Sequence, residues 1–182
     1  MSYQRFATAL GVNQRTAQAY LDLLETLFLV RRLPAYSSNL LSRVVKAPKG
    51  FVTDTGLLAY LIGADESRIV SDGDVAGPVF ETFTAMELLR QAEWQKEPVR
   101  LYHYRDRDQR EVDLVLERQD GSVVGVEVKA AASVGKGDFK GLRHLRDKLG
   151  DRFRGGALIY TGPNTLSFGD RLFAVPIAGL WS

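Results

Sequence analysis

Hydrophobic positions in the first third of the chain predict two helices and a strand. A short helix from Tyr3 ends at Gly11, and Asn13 is a suitable N-cap for a second helix that runs to about Phe28. Apolar residues recur at spacings of three and four along this second helix, which predicts one buried face formed by Ala17, Tyr20, Leu21, Leu24 and Leu27. Residues 27–33 then predict a strand that Pro34 ends.

The order of helix, glycine turn, helix and strand resembles a winged helix-turn-helix. Residues 43–53 are predicted to form its wing, with a basic strand, a turn at Pro48-Lys49-Gly50 and a second strand. A short helix over residues 55–62 ends at Gly63, and the acidic and glycine clusters of residues 63–76 are typical of a linker. We therefore expect a first domain over residues 1–62, a linker over 63–76 and a second domain over 77–182.

The second domain shows helical and strand patterns in turn. A helix is predicted from Gly77-Pro78 to about Trp94, because proline suits the first turn of a helix. The remaining predicted elements are strands over 99–104, 111–117 and 123–129, a helix over 138–149, and strands over 157–160, 166–168 and 172–175. The helix over 138–149 is predicted to bury one apolar stripe, formed by Phe139, Leu142, Leu145 and Leu149. This order predicts an α/β fold with a mixed central sheet.

The strands over 111–117 and 123–129 both alternate between apolar and polar residues. Their apolar positions are expected on one buried face: Val112, Leu114, Leu116, Val124, Val126 and Val128. A three-residue loop, Gln119-Asp120-Gly121, pairs residues whose numbers sum to 240, so Asp113 lies opposite Glu127 and Glu111 opposite Lys129. A two-residue turn would shift the register by one and turn Asp113 toward the valines, which the apolar pattern argues against.

Asp113 and Glu127 are the candidate catalytic pair. Directly opposed side chains have Cβ atoms about 5 Å apart, so the two carboxylates repel each other unless a cation neutralises them. Mg²⁺ or Mn²⁺, which prefer oxygen ligands, are the predicted cofactors. Lys129 follows on the same face, where it is placed to activate a water or to stabilise charge on a phosphate.

This arrangement resembles the active site of the PD-(D/E)xK nucleases, in which the Asp and the Glu hold the metal and the Lys assists the attacking water. The resemblance implies a restriction-endonuclease-like fold for the second domain and a further metal-binding acid on the helix that precedes the sheet. Glu81 is the best match for that acid, and Glu87 is the second choice. The alternative is an ordinary exposed hairpin in which Glu111 and Lys129 form a cross-strand ion pair.

Two segments are candidate nucleic-acid contacts. In DNA-binding winged helices the start of the second helix enters the major groove, which makes Gln14, Arg15 and Gln18 candidates. The helix over 138–149 and the residues before it carry a basic face suited to phosphates, and its candidates are Lys136, Lys140 and Arg143. The alternatives are a packing module and a solvated helix face.

Composition narrows the function without identifying it. The 182 residues include no cysteine, which excludes disulfides and cysteine-ligated zinc, and no apolar run approaches the ~20 residues of a membrane helix, so we expect a cytoplasmic protein. Net charge is +2, but residues 1–50 carry +5, residues 51–129 carry −7 and residues 130–154 carry +4. Basic segments on both sides of an acidic one suit a nucleic-acid binder with a metal site. Gly135-Lys136-Gly137 lacks the spacing of a phosphate-binding loop, so no nucleotide site is predicted in this chain.

Short motifs distributed over nearly the whole chain resemble the C-terminal half of a large family of prokaryotic AAA-type ATPases. These motifs are Leu10-Gly11-Val12, residues 20–25, residues 45–49, residues 53–58, residues 77–81, Glu111-Val112-Asp113 and residues 126–129. The resemblance implies that an ATPase domain normally precedes this region and that the nuclease-like residues Asp113, Glu127 and Lys129 are intact. It does not establish the substrate. DNA is the partner expected from the candidate contacts and the charge pattern. Self-association is left open.

Three hypotheses therefore stand. The first is a Mg²⁺-dependent DNA endonuclease domain joined to a DNA-binding winged helix. The second is a non-catalytic DNA-binding module with a nuclease fold, and the third is a protein-interaction module. Divalent-cation binding that depends on Asp113 separates the first hypothesis from the second, and salt-sensitive DNA binding separates the second from the third.

Overall fold

A computed structural model describes residues 3–38, 43 and 47–181 of the protein. Helix α1 (Tyr3–Leu10) ends at Gly11, whose φ of 66° is a conformation that favours glycine. Helix α2 (Gln14–Thr26) begins at the predicted N-cap, because the Asn13 side chain accepts a hydrogen bond of 2.9 Å from the Thr16 amide. The two predicted helices and the cap are confirmed, and α2 ends two residues earlier than predicted.

The buried face of α2 is narrower than predicted. Ala17 and Leu21 are buried, whereas Tyr20 and Leu27 are 49% and 56% exposed. Helix α1 and the strand that follows α2 cover only the side with Ala17 and Leu21, so the prediction that Tyr20 and Leu27 are buried was wrong.

Strand β1 (Val30–Leu33) pairs in antiparallel fashion with β2 (Lys49–Val52). The prediction of a turn at Pro48-Lys49-Gly50 was wrong, because Lys49 and Gly50 lie in β2, opposite Leu33 and Arg32. Ladder hydrogen bonds to β1 fix this stretch as a strand. Residues 44–46 of the predicted basic strand lie outside the described residues.

Most of the predicted linker is helical. Helix α3 (Thr55–Leu61) is followed by α4 (Glu66–Ser71) and by the long α5 (Gly73–Glu93). Asp65 and Asp72 cap α4 and α5, so acidic residues that are typical of a linker here serve as helix N-caps. Helix α5 begins four residues before Gly77, and Pro78 lies in its second turn rather than its first.

A six-stranded mixed sheet forms the centre of the second part, as predicted. Its strands are β3 (Val99–Arg105), β4 (Glu111–Arg118), β5 (Val123–Lys129), β6 (Phe153–Tyr160), β7 (Leu166–Ser167) and β8 (Leu172–Pro176). They lie in the order β3-β4-β5-β6-β8-β7, with β5, β6 and β8 parallel and the other neighbours antiparallel. Helix α6 (Lys140–Leu149), entered through a 3₁₀ turn at Lys136–Phe139, connects β5 to β6.

Helices cover both faces of the sheet. On one face α5 packs with Ala85 and Met86 on Leu114 and Val126. On the other face Phe139, Leu142 and Leu145 of the α6 segment have no exposed surface, which confirms the predicted stripe of this helix. The result is a helix–sheet–helix sandwich. Among the described residues, no helix has the length and apolarity needed to cross a membrane.

The first part of the chain is anchored to the edge of this sheet. Ala35 forms a parallel bridge with His103 of β3, and the Tyr36 amide donates to the His103 carbonyl at 2.6 Å. Arg43 lies between the rings of Tyr36 and Tyr102, with its guanidinium carbon 4.9 and 4.7 Å from their centroids. Strand β2, which follows this anchor, is therefore held close to the sheet.

Candidate functional site

The hairpin of β4 and β5 adopts the predicted register. Leu114 lies opposite Val126 and Leu116 opposite Val124, so paired numbers sum to 240. The loop closes with a hydrogen bond of 3.0 Å from the Gly121 amide to the Arg118 carbonyl, and Gly121 has a φ of 77°. The three-residue loop is confirmed, and with it the placement of Asp113 beside Glu127.

The division of this hairpin into an apolar and a polar face was wrong in two respects. Val112 belongs to the core under α6 rather than to the core under α5, because the pairing of β3 with β4 shifts between Tyr102 and Tyr104. Val115 and Val123 are also buried under α6, on the side expected to be polar. Both sides of the hairpin are therefore covered, and Asp113 and Glu127 are partly buried, whereas Glu111 is exposed.

The predicted ion pair between Glu111 and Lys129 does not form. Glu111 Oε1 lies 2.8 Å from Arg105 Nε, and Lys129 Nζ lies 3.0 Å from Asp138 Oδ1. Each of the two residues thus has a closer partner on a neighbouring segment, and the Lys129 side chain is 52% exposed.

Asp113 lies where β4 and β5 cease to pair. The last described pair of their ladder is Leu114 with Val126, and beyond it Asp113 Oδ2 accepts a hydrogen bond of 3.1 Å from the Val128 amide. The Asp113 carboxylate thus accepts a hydrogen bond from the Val128 amide, which lies beyond the last described pair of the β4–β5 ladder. Its other oxygen, Oδ1, is 3.1 Å from Lys49 Nζ.

Glu81 contacts the same ammonium group as Asp113. Helix α5 carries Glu81 to Lys49, and its Oε1 atom forms an ion pair with Lys49 Nζ. This oxygen is shielded from solvent, and its contact lacks the geometry of a well-formed hydrogen bond. We call Lys49, Glu81, Asp113 and Glu127 the acidic centre.

Burial and the charges of neighbouring groups shift the pKa values of Glu127, Glu81 and Lys49. Burial, followed by the charge of Asp113 and a hydrogen bond with it, raises the pKa of Glu127 to about 10. Burial and Asp113 also raise the pKa of Glu81, although Lys49 opposes the change. Burial alone would lower the pKa of Lys49, but Asp113 and Glu81 outweigh it and raise the value. At neutral pH the centre thus holds a charged Lys49 and a protonated Glu127.

Helix α6 packs directly against Glu127. A Cβ atom at Gly141, in the first turn of the helix, would overlap both Glu127 Oε1 and the Glu111 carbonyl. Only glycine lets the helix come this close to the carboxyl group. The first turn of α6 therefore fixes the distance between the helix and the acidic centre.

The donor chemistry of the centre fits Mg²⁺ or Mn²⁺. Glu81 Oε1 and Asp113 Oδ1 already converge on one cationic atom, and carboxylate oxygens are the ligands these ions take. The side chains of Lys49, Glu81 and Asp113 are 29%, 25% and 17% exposed, so an ion from solvent has access. Within the described part of the chain, however, no three acidic or histidine side chains form a ready-made metal cage.

The other candidate residues lie apart from this centre. Glu87, the second choice on α5, accepts hydrogen bonds from Arg90 and Gln91 on the same helix and from Trp181. Its carboxylate oxygens are therefore already occupied by these donors. The candidate DNA contacts Gln14, Arg15 and Gln18 are exposed on the first turns of α2.

Of the basic residues near α6, Lys136 and Lys140 are exposed. Arg143 is half-buried and donates to the Lys136 carbonyl. Lys136 and Lys140 are therefore the better placed of the three for contact with a phosphate.

Lys49 is the residue of this centre that sequence reasoning missed. It was assigned to a turn, and nothing in its spacing relates it to the hairpin 64 residues later. The available signal was a single lysine in a stretch, Lys49-Gly50-Phe51-Val52, that otherwise suits a buried strand. A charge in such a stretch requires a partner, and the acids of the hairpin provide it.

Models of two protein families match the two parts of the chain. Residues 76–180 match the profile of a domain of unknown function, DUF4143, and residues 1–68 match that of another, DUF8612. The chain is 31% identical over 171 residues to the uncharacterized proteins Mb2031c of Mycobacterium bovis and Rv2008c of Mycobacterium tuberculosis. That region is 93% of this chain but 36% of each relative, so the chain spans little more than a third of their length. No solved structure matches the chain.

Proposed function

We propose a function from one premise: the chain belongs to the DUF4143 family of domains of unknown function. The proposed function is Mg²⁺-dependent hydrolysis of DNA phosphodiester bonds at the acidic centre, in a domain with a PD-(D/E)xK nuclease-like fold. The observation that carries this proposal is the convergence of Glu81 and Asp113, from a helix and a strand far apart in sequence, on one cation.

The three acids of the acidic centre, and Lys129 at the end of β5, each have a role in this proposal. Glu81, Asp113 and Glu127 would hold the metal, which when bound would neutralise phosphate charge and lower the pKa of a water. Glu127 would give up its proton as the cation binds, since added positive charge beside it favours the carboxylate. Lys129, at the end of β5, would exchange Asp138 for the phosphate and stabilise the charge that builds there.

DNA contact is assigned to the exposed polar residues outside the centre. The first part of the chain would act as a winged helix, with Gln14, Arg15 and Gln18 at the exposed start of α2 directed toward DNA. Lys136 and Lys140, exposed beside α6, would contact backbone phosphates. We also propose that the region accompanies an AAA-type ATPase domain in longer family members; the greater length of the mycobacterial relatives leaves room for one.

A second candidate is a non-catalytic module that uses the nuclease fold to bind DNA or protein. Two observations favour it. Lys49 already neutralises Glu81 and Asp113, which stabilises the fold without a metal. In addition, several large apolar side chains of the first part of the chain are exposed, as at protein interfaces: Tyr20, Leu23, Leu27 and Phe28.

Nuclease assays distinguish the two candidates. The wild type is incubated with single-stranded, duplex, flap and junction DNA in Mg²⁺ or Mn²⁺, beside Asp113→Asn and the control Asp147→Asn, which alters an exposed aspartate of α6. The proposal expects cleavage that Asp113→Asn abolishes and Asp147→Asn retains. DNA binding without cleavage of any substrate, unchanged in Asp113→Asn, would support the non-catalytic module.

A further inference from the structure

Lys49 lies where the two carboxylates converge, at the position that the proposed function gives to a metal. Its Nζ atom contacts both Glu81 Oε1 and Asp113 Oδ1. It also lies 5.7 Å from the centroid of the Phe51 ring on the same strand. An ammonium here neutralises oxygens that would otherwise repel each other in a partly buried setting.

The strand that carries Lys49 belongs to the first part of the chain, outside the sheet that carries Asp113. Strand β2 is paired along its length with β1, and Lys49 lies opposite Leu33 at the end of that ladder. The β1 strand is in turn tied to α2, because Arg32 Nε bonds Glu25 Oε2 at 2.6 Å. A movement of Lys49 out of the acidic centre would therefore be transmitted through β2 to β1 and α2.

We propose that Lys49 is a built-in counter-ion that a divalent cation must displace, so that loading of the acidic centre is coupled to the position of the β1–β2 strands. This inference rests on the proposed metal site and adds its regulation. Lys49 and the metal compete for the same two carboxylate oxygens, and two cations cannot occupy the same position. A partner that draws β2 away from the sheet would therefore raise the metal affinity, and metal binding would release Lys49.

Calorimetric titration of Mn²⁺ into wild type, Lys49→Met and the control Lys96→Met tests the competition. Lys96 lies exposed in the turn between α5 and β3, so its substitution makes the same change in charge away from the centre. Removing the internal competitor is expected to tighten Mn²⁺ binding about 5-fold or more, the lower end of usual coupling between sites. Lys96→Met is expected to match the wild type.

A second measurement uses the wild type alone, so it does not depend on the folding of a variant. Acetylation of lysines by acetic anhydride is followed by mass spectrometry with and without saturating Mn²⁺. Release of Lys49 from the centre should raise its labelling several-fold relative to Lys96. Labelling of Lys49 that is unchanged or reduced by the metal would overturn the proposal.

The outcomes separate this inference from the proposed function. If the wild type binds Mn²⁺ and Lys49→Met binds it with equal or lower affinity, the displacement idea fails while the metal site stands. If neither protein binds Mn²⁺, both fail. Binding by Lys49→Met that is tighter than wild type, or that appears only in this variant, supports displacement.

Discussion

Glu127 couples the stability of the protein to pH. Its pKa is about 10 in the folded protein against a usual 4.5, so folding takes up a proton between these values. The stability it provides is fully present below pH 4.5 and is lost as the pH rises toward 10. In the metal-free protein we expect the free energy of unfolding to fall by up to about 1.4 kcal/mol per pH unit across this window.

Urea denaturation of wild type and Glu127→Gln in EDTA between pH 6 and 9 measures this effect. The neutral amide cannot ionise, so Glu127→Gln should lose most of the slope and should exceed the wild type in stability at pH 9. Asp113 and Lys49 face Glu127 in both proteins, and the raised pKa of Lys49 keeps its ammonium charged over this pH range. Equal slopes for the two proteins would show that Glu127 is already ionised at neutral pH.

Arg43 and Glu117 form a largely buried ion pair at the anchor between the first part of the chain and the sheet. The guanidinium donates to both carboxylate oxygens, at 2.6 and 2.9 Å, and the two side chains are 11% and 12% exposed. Removing Arg43 leaves Glu117 with only the longer contact to Arg152 Nη2, at 3.2 Å, so Arg43→Met should cost up to about 3 kcal/mol. Arg107→Met, an exposed substitution in the connection between β3 and β4, is the control in the same urea measurement.

At the scale of secondary-structure elements, the close packing of α6 on the acidic centre makes Gly141 sensitive to substitution. Gly141→Ala would push a methyl group into the Glu111 carbonyl and the Glu127 carboxyl, and overpacking of this kind costs about 1–3 kcal/mol or more. Gly137→Ala is the control, because a Cβ there meets no atom within 4 Å. Thermal unfolding should separate the variants, and equal melting temperatures would contradict the described contact.

The elements also show what the sequence could predict. The β4–β5 register followed from a loop length and an alternating pattern, both of which are local, and the stripe of α6 followed from its periodicity. The displacement of Val112 to the other face could not be predicted in this way, since it depends on an irregular pairing with β3. The helical linker was missed because Asp65 and Asp72 serve equally well in loops and as N-caps.

At the scale of the whole molecule, the acidic centre combines groups from both parts of the chain. The alternating pattern and the loop length identified Asp113 and Glu127 as candidates, and the resemblance to the PD-(D/E)xK nucleases identified Glu81. Lys49 enters only through the packing of β2 beside the sheet, a long-range arrangement that no local pattern specifies. The exposed Tyr20 and Leu27 were likewise misjudged because periodicity cannot show whether a neighbour covers a helix face.

The proposed DNA binding is a whole-molecule property that would depend on charge outside the acidic centre. If Lys136 and Lys140 each neutralise a phosphate, replacing both by Ala should lower the slope of log affinity against log salt by about 1.8. Asp113→Asn should leave this slope unchanged, because it removes no cation that neutralises a phosphate. Fluorescence anisotropy with labelled duplex DNA at several salt concentrations makes the measurement. A slope that the double variant does not change would remove this face from the binding surface.

The most direct test of the central claim, that the acidic centre is a divalent-cation site, is calorimetric titration of Mn²⁺ into wild type, Asp113→Asn and Asp147→Asn. We predict saturable binding by the wild type and by Asp147→Asn, and an affinity at least about tenfold weaker in Asp113→Asn, a loss of about 1.4 kcal/mol or more. Equal affinities in all three proteins, or no binding by any of them, would contradict the claim and would leave Lys49 as the permanent cation of the centre.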